Sequence, residues 1–187
     1  MTLKELYYEI AKRVDEDITI NFDGTMDDDT KELIDKFLSS INYFYRKVAK
    51  DKRLFLWKES VELNNGILDI SLLEKEFCEL LRIESEAGDK IKYLEINNSN
   101  IKCETDAKNV IVYYYYLPTR LQNLSDSPQF PNDVDDNILC FYAAYDYLNI
   151  EGENEDRIKA QSQLILLNDA LDGIKKRNGP SKYVKEV

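Results

Sequence analysis

The stretch NVIVYYYYLPTRL, residues 109–121, decides how the chain is read, because it sets four consecutive tyrosines between a β-branched run and the pair Leu117-Pro118. On a strand, Val110, Val112, Tyr114 and Tyr116 face one way, and Ile111, Tyr113, Tyr115 and Leu117 the other. Both faces are then apolar or aromatic. This predicts an inner strand covered on both sides, on one face by its own sheet and on the other by helices or a neighbouring subunit. Single-stranded nucleic acid also stacks on aromatic rings, but it needs an accompanying basic groove. Residues 104–117 offer only Lys108, so packing is favoured over base stacking.

Upstream of this strand the apolar pattern has a period of two. LFLWKESVEL, GILDI, FCELLRIES, KIKYLEIN and NIKCE are short β-prone runs, separated by the turn-forming clusters NNG, AGD, NNSN and TDAKN. Residues about 55–117 are expected to form a compact antiparallel β-subdomain, with one helical turn at SLLEKEF. Pro118 ends the sheet, and TRLQNLSDSPQFPN reads as a loop because Asp126, Pro128 and Pro131 favour turns.

Helical periodicity occupies the rest. Leu3, Leu6, Tyr7 and Ile10 mark a helix over about 2–13. Leu33, Ile34, Phe37, Leu38, Ile41, Phe44, Tyr45 and Val48 mark a second over about 28–51, with acids at its start and bases at its end as the helix dipole favours. A third, about 133–149, is expected to bury Ile138, Phe141, Tyr142, Tyr145 and Leu148. After Gly152 a fourth, about 153–177, turns Ile158, Leu164, Leu167, Leu171 and Ile174 inward, and the NGP of residues 178–180 stops it. The expected fold class is α+β and mainly α, a helical bundle with an inserted antiparallel β-subdomain, in a single domain of residues 1–187.

The formal net charge is −11, from 36 acidic and 25 basic residues, which disfavours a general affinity for nucleic acid or anionic membrane. No long uncharged apolar run appears, so a soluble protein made in a cytosol is expected. Cys78, Cys103 and Cys140 match no metal-ligand spacing and are expected to be reduced and partly buried.

Asp17, Thr19, Asn21 and Asp23 alternate like calcium ligands. Phe22 stands where a calcium loop needs glycine, however, and no glutamate closes it. Helix capping by Asp27, Asp28 or Asp29 is the better reading. The chain has no histidine, which excludes Ser-His-Asp and Cys-His nucleophiles, and no glycine-rich phosphate loop or zinc pattern. No enzymatic activity, cofactor or metal is expected.

From Trp57 to Lys176 the chain resembles the head-to-tail connector, or adaptor, proteins of tailed bacteriophages. The resemblance rests on the order of GILDISLLEKEFCELLRIES, GDKIKYLEIN, VIVYYYYLPTRLQNLSDSPQFP, CFYAAYDYL and ENEDRIKAQSQLILLNDAL. Tyr114, Tyr116, Pro118 and Leu121 fill the pattern Y-x-Y-x-P-x-x-L, and Asp126, Pro128 and Pro131 fill D-x-P-x-x-P. It implies a structural virion protein at the head-tail junction, in a ring that is typically a dodecamer below the portal protein. Genomic DNA would pass through its channel without specific binding, and a further tail component would dock on it. A tail-terminator or tail-completion ring protein and a cytosolic interaction module are the alternatives.

In such a ring the acidic excess would keep DNA from sticking; ordinary solubility explains it equally well. The last segment differs in sign. Lys175, Lys176, Arg177, Lys182 and Lys185 face a single acid, Glu186, and Tyr183 and Val184 lie among them. These residues are the candidate partner-binding arm for a portal or neighbouring copy, with a frayed terminus as the plain alternative.

Overall fold

In a computed structural model that describes residues 1–21, 23–150 and 154–174, the chain divides into two compact units. One comprises Met1–Val48 and the chain from Thr119 through the last helix; the other is Ala49–Pro118. Both helices and antiparallel sheets are present, so the fold class is α+β.

The first unit is built on α1 (Leu3–Val14), α2 (Asp28–Lys52) as far as Val48, α3 (Asn137–Ile150) and α4 (Asn154–Gly173). α1 opens with a capping box: Glu5 N–H donates to Thr2 Oγ1 at 3.3 Å and Thr2 N–H to Glu5 Oε2 at 2.7 Å. It closes on Asp15, whose φ of 58° is the left-handed cap conformation. The inward set of α1 is the expected one, extended by Ala11 and Val14.

α3 lies against α1 and α4 and meets α2 through Phe44, which stacks on Tyr142 at 4.2 Å between ring centroids. Its burial corrects the expected stripe. Leu139, Cys140, Ala143 and Ala144 are buried with Ile138 and Leu148, while Phe141, Tyr142 and Tyr145 are only half-buried. A helix with neighbours on several sides buries small residues where the backbones approach, and its aromatic rings fill the gaps at the rim. α3 also starts later than expected, because Asp135 accepts the Asn137 N–H at 2.9 Å and caps the helix there.

On α4, Ala160 and Leu167 are buried and Leu164 and Leu171 half-buried, with Ile174 buried just beyond the helix. Ile158, expected inward, is 73% exposed. Two residues before Ala160 on a helix of 3.6 residues per turn, it lies on the opposite face. The helix closes at Gly173, where the Ile174 N–H turns back to the Leu171 carbonyl at 3.1 Å.

The second unit holds six strands: β1 (Leu56–Glu62), β2 (Ile67–Asp69), β3 (Phe77–Glu84), β4 (Tyr93–Glu95), β5 (Asn100–Cys103) and β6 (Asn109–Tyr116). They form two antiparallel sheets of three, ordered β1-β6-β3 and β2-β5-β4. The tyrosine strand β6 is thus the inner strand of its sheet, as its two apolar faces predict. The expected helical turn is a 3-10 turn at Ile70–Leu72.

Asn65 and Gly66, at φ of 52° and 76°, make the tight turn in which Asn64 and Ile67 exchange backbone hydrogen bonds at 3.0 Å. That turn passes the chain from one sheet to the other. Val61, Ile83, Val110, Val112 and Tyr114 of the first sheet then share a buried cluster with Leu68, Ile101 and Cys103 of the second. Two sheets, each too small to bury a face alone, cover one another.

Candidate partner-binding site

The arm residues Lys175, Lys176, Arg177, Lys182, Tyr183, Val184 and Lys185 lie outside the described residues. The tyrosine strand lies within them. Tyr114 is fully buried; its hydroxyl donates to Glu59 Oε1 at 2.5 Å and accepts from the Lys75 N–H at 3.1 Å. Burial first, and then the Glu59 carboxylate, push the pKa of this phenol well above the ordinary value, so it stays protonated.

Tyr113 shows what the sequence concealed. The Arg82 guanidinium lies 3.9 Å from its ring centroid and Lys58 Nζ 5.3 Å, while Arg53 lies 5.7 Å from the ring of Tyr115. The cations absent from the local sequence come from β1, β3 and the chain just before β1. Registers Lys58↔Tyr113 and Arg82↔Tyr113 bring them there. Cationic side chains of its own unit thus lie over the two tyrosine rings of this face. Arg82 Nε bonds Glu84 at 2.6 Å and Arg53 Nε bonds Glu79 at 2.8 Å, so a phosphate would meet both guanidiniums already paired.

The run after Pro118 is fixed by polar clamps. Asn42 of α2 is buried; its Oδ1 accepts the Leu121 N–H at 2.8 Å and its Nδ2 donates to the Leu121 carbonyl at 2.9 Å. Asp126 accepts the backbone N–H groups of Gln122 at 2.8 Å and Asn123 at 2.9 Å, which hold its carboxyl below the usual carboxylate range. The carbonyls of Asp126 and Leu124 in turn accept the N–H groups of Leu3 at 2.7 Å and Lys4 at 3.1 Å. Those are first-turn donors of α1 that no intrahelical carbonyl can serve. Tyr45 accepts the Gln129 N–H at 2.9 Å and meets Phe130 edge-on at 4.9 Å.

Beside this run lies an open cleft of about 950 Å³, lined among others by Lys4, Tyr7, Asp23, Lys31, Asp35 and Leu124. Its lining carries side chains of both charges beside apolar ones. Burial raises the pKa of the Tyr7 phenol and keeps it protonated. Asp23 is occupied by Thr25, whose N–H and hydroxyl donate to it at 3.0 and 2.7 Å. Asp27 caps α2 by accepting the Thr30 N–H at 2.7 Å, the capping role expected of this acidic run.

Among the described residues no group of three or more acidic, histidine or cysteine side chains is placed to hold a metal. None of their helices is long and apolar enough to cross a membrane. All three cysteines are free, and burial pushes the Cys140 thiol up to about 12 and raises Cys103 as well, so both stay protonated at neutral pH.

Apolar side chains are exposed on two elements. Ile158, Ile165 and Leu166 stand out from α4, and Leu94 and Ile96 from β4 and its end. The period of α4 allowed Ile165 and Leu166 to be placed outward; β4, in a run of ordinary strand composition, carried no such signal. No protein-family model matches the chain, and no curated protein matches it.

Proposed function

We propose that the protein is a non-enzymatic structural subunit of a virion, a head-to-tail connector that forms a ring below the portal protein. In this reading the fold is a mainly α helical bundle with Ala49–Pro118 as an inserted antiparallel β-subdomain. Neighbouring copies pack against one another, the next tail component docks on the ring, and DNA passes through without specific binding.

The observation that carries the reading is the clamped run from Tyr114 to Pro131. The residues through which the chain resembles connectors have defined structural tasks here. Tyr114 is locked to Glu59, Leu121 to Asn42, and Asp126 organises the turn that receives α1. These motif residues therefore include polar anchors in both units. The apolar faces of α4 and β4 supply surface for contacts between copies. More of the described residues lie in helices than in strands, which favours a connector over a more β-rich tail terminator.

The test is electron microscopy of the protein mixed with the portal ring from the same virion. A second ring stacked coaxially on the portal is the expected result. Portal particles that stay bare at saturating protein would overturn the proposal.

A further inference from the structure

The open cleft beside the run after Pro118 lies wholly within the helical unit. Lys31, Ile34, Asp35 and Leu38 all line it, and their spacing of three and four residues makes them one stripe of α2. Lys4 and Tyr7, three apart on α1, line it too.

α2 carries two adjacent pairs of opposite charge four residues apart, and they behave differently. Glu32 and Lys36 have the acid first, the order a helix favours, and are bridged at 3.3 Å. Lys31 and Asp35 have the reverse order. Among the described residues neither makes an ion pair, and nor does the half-buried Lys4. The cleft therefore holds charges of both signs that the protein itself leaves unused.

Tyr7 points the same way on independent grounds. It is only 2% exposed, yet its hydroxyl has no hydrogen-bond partner among the described residues. Buried phenols ordinarily find one. The charge of Asp35 adds to burial in raising the Tyr7 pKa, so the two groups lie within electrostatic reach of each other.

We infer that this cleft receives an extended peptide segment of a partner protein, in which an acidic and a basic residue stand two apart and an apolar residue two further on. The spacing follows from the stripe. Lys31 and Asp35 are about 6 Å apart along the helix axis, and residues two apart on an extended peptide are separated by about 6.6 Å and share a face. The acid meets Lys31 and Lys4, the base meets Asp35, and the apolar side chain continues toward Leu38. The Tyr7 hydroxyl serves a backbone group of the segment.

A cleft of about 950 Å³ that is open to solvent suits a segment lying through it better than an enclosed small molecule. The basic residue is needed because a chain of net charge −11 repels a purely acidic one. Such a site does not depend on the connector reading.

The test is a nuclear magnetic resonance titration of the isotope-labelled full chain with two capped peptides, Glu-Ser-Lys-Ser-Leu and its reversed sequence, which cover both chain directions. One of them should give saturable shifts at the amides of Gly24, Thr25 and Gln122 to Ser125, which line the cleft. Lys-Ser-Glu-Ser-Leu, equal in composition, should bind about fivefold more weakly.

The paired substitutions Lys31→Glu and Asp35→Lys keep the net charge and create the order that bridges within the helix, so the variant should fold and bind about fivefold more weakly. Tyr7→Phe should leave stability unchanged, since the hydroxyl bonds nothing in the protein, and weaken the peptide about threefold. No saturable shift, shifts centred elsewhere, or equal binding of both charge orders would overturn the site. Undiminished binding by the paired variant would overturn the assignment of Lys31 and Asp35, and a less stable Tyr7→Phe would mean that the phenol is already engaged.

Discussion

The two units are held by different means, and the difference is instructive. The β unit closes over one apolar cluster in which Val110, Val112, Tyr114, Leu68 and Ile101 are essentially without solvent contact. The helical unit also has an apolar interior, but its long connection from Thr119 to Asp136 is fastened by Asn42, Tyr45 and Asp126. An apolar cluster tolerates small adjustments. A buried polar clamp either has its partners or leaves them stranded.

The largest effect should come from breaking the cluster. Tyr114→Ala removes the largest fully buried side chain of β6 and should destabilise the protein by about 3–5 kcal/mol in urea titration. Tyr114→Phe, which frees Glu59 and the Lys75 N–H, should lose only about 1 kcal/mol. If the two variants were alike, the hydrogen bond and not packing would hold this strand.

Asn42→Ala strands both backbone groups of Leu121 and should lower stability by about 2–4 kcal/mol, nearly as much as loss of a core aromatic. A deficit below about 0.5 kcal/mol would mean that the clamp is replaced by water.

Asp126 sharpens the contrast through pH. Its folded pKa is depressed from 3.8 by the N–H groups of Asn123 and Gln122. The stability it adds is present above the unfolded value and lost as pH falls through the folded one. Asp126→Asn should therefore be less stable than the parent at neutral pH, and the gap should close below about pH 4. A gap independent of pH would exclude a role for the ionised carboxylate.

The smallest effect belongs to the outer face of β6. Arg82→Ala removes the cation over the half-buried Tyr113 and should lower stability by less than about 1 kcal/mol.

What the sequence revealed follows this same division. The strands, α2 and the inner place of β6 were legible because apolar residues recur at the period of the element that buries them. Asn42 meets Leu121 across 79 residues through hydrogen bonds that leave no periodic trace. The cations over Tyr113 were hidden because β6 lies between β1 and β3, an order unrelated to chain order. Ile158 was misjudged because apolar character alone does not say which face a helix turns inward.

Trp57 is the one tryptophan among thirteen tyrosines. It lies on β1 with Lys75 Nζ 4.9 Å from its ring and Tyr116 edge-on at 6.3 Å. The β unit therefore carries its own lamp. Light absorbed by the neighbouring tyrosines can emerge as indole emission, and that transfer lapses once β1 and β6 separate. Far-ultraviolet ellipticity is dominated by the helices, so emission and ellipticity recorded on one sample follow different parts of the chain. Tyr114→Ala should disturb the emission first and Asn42→Ala the ellipticity, without any dye or label.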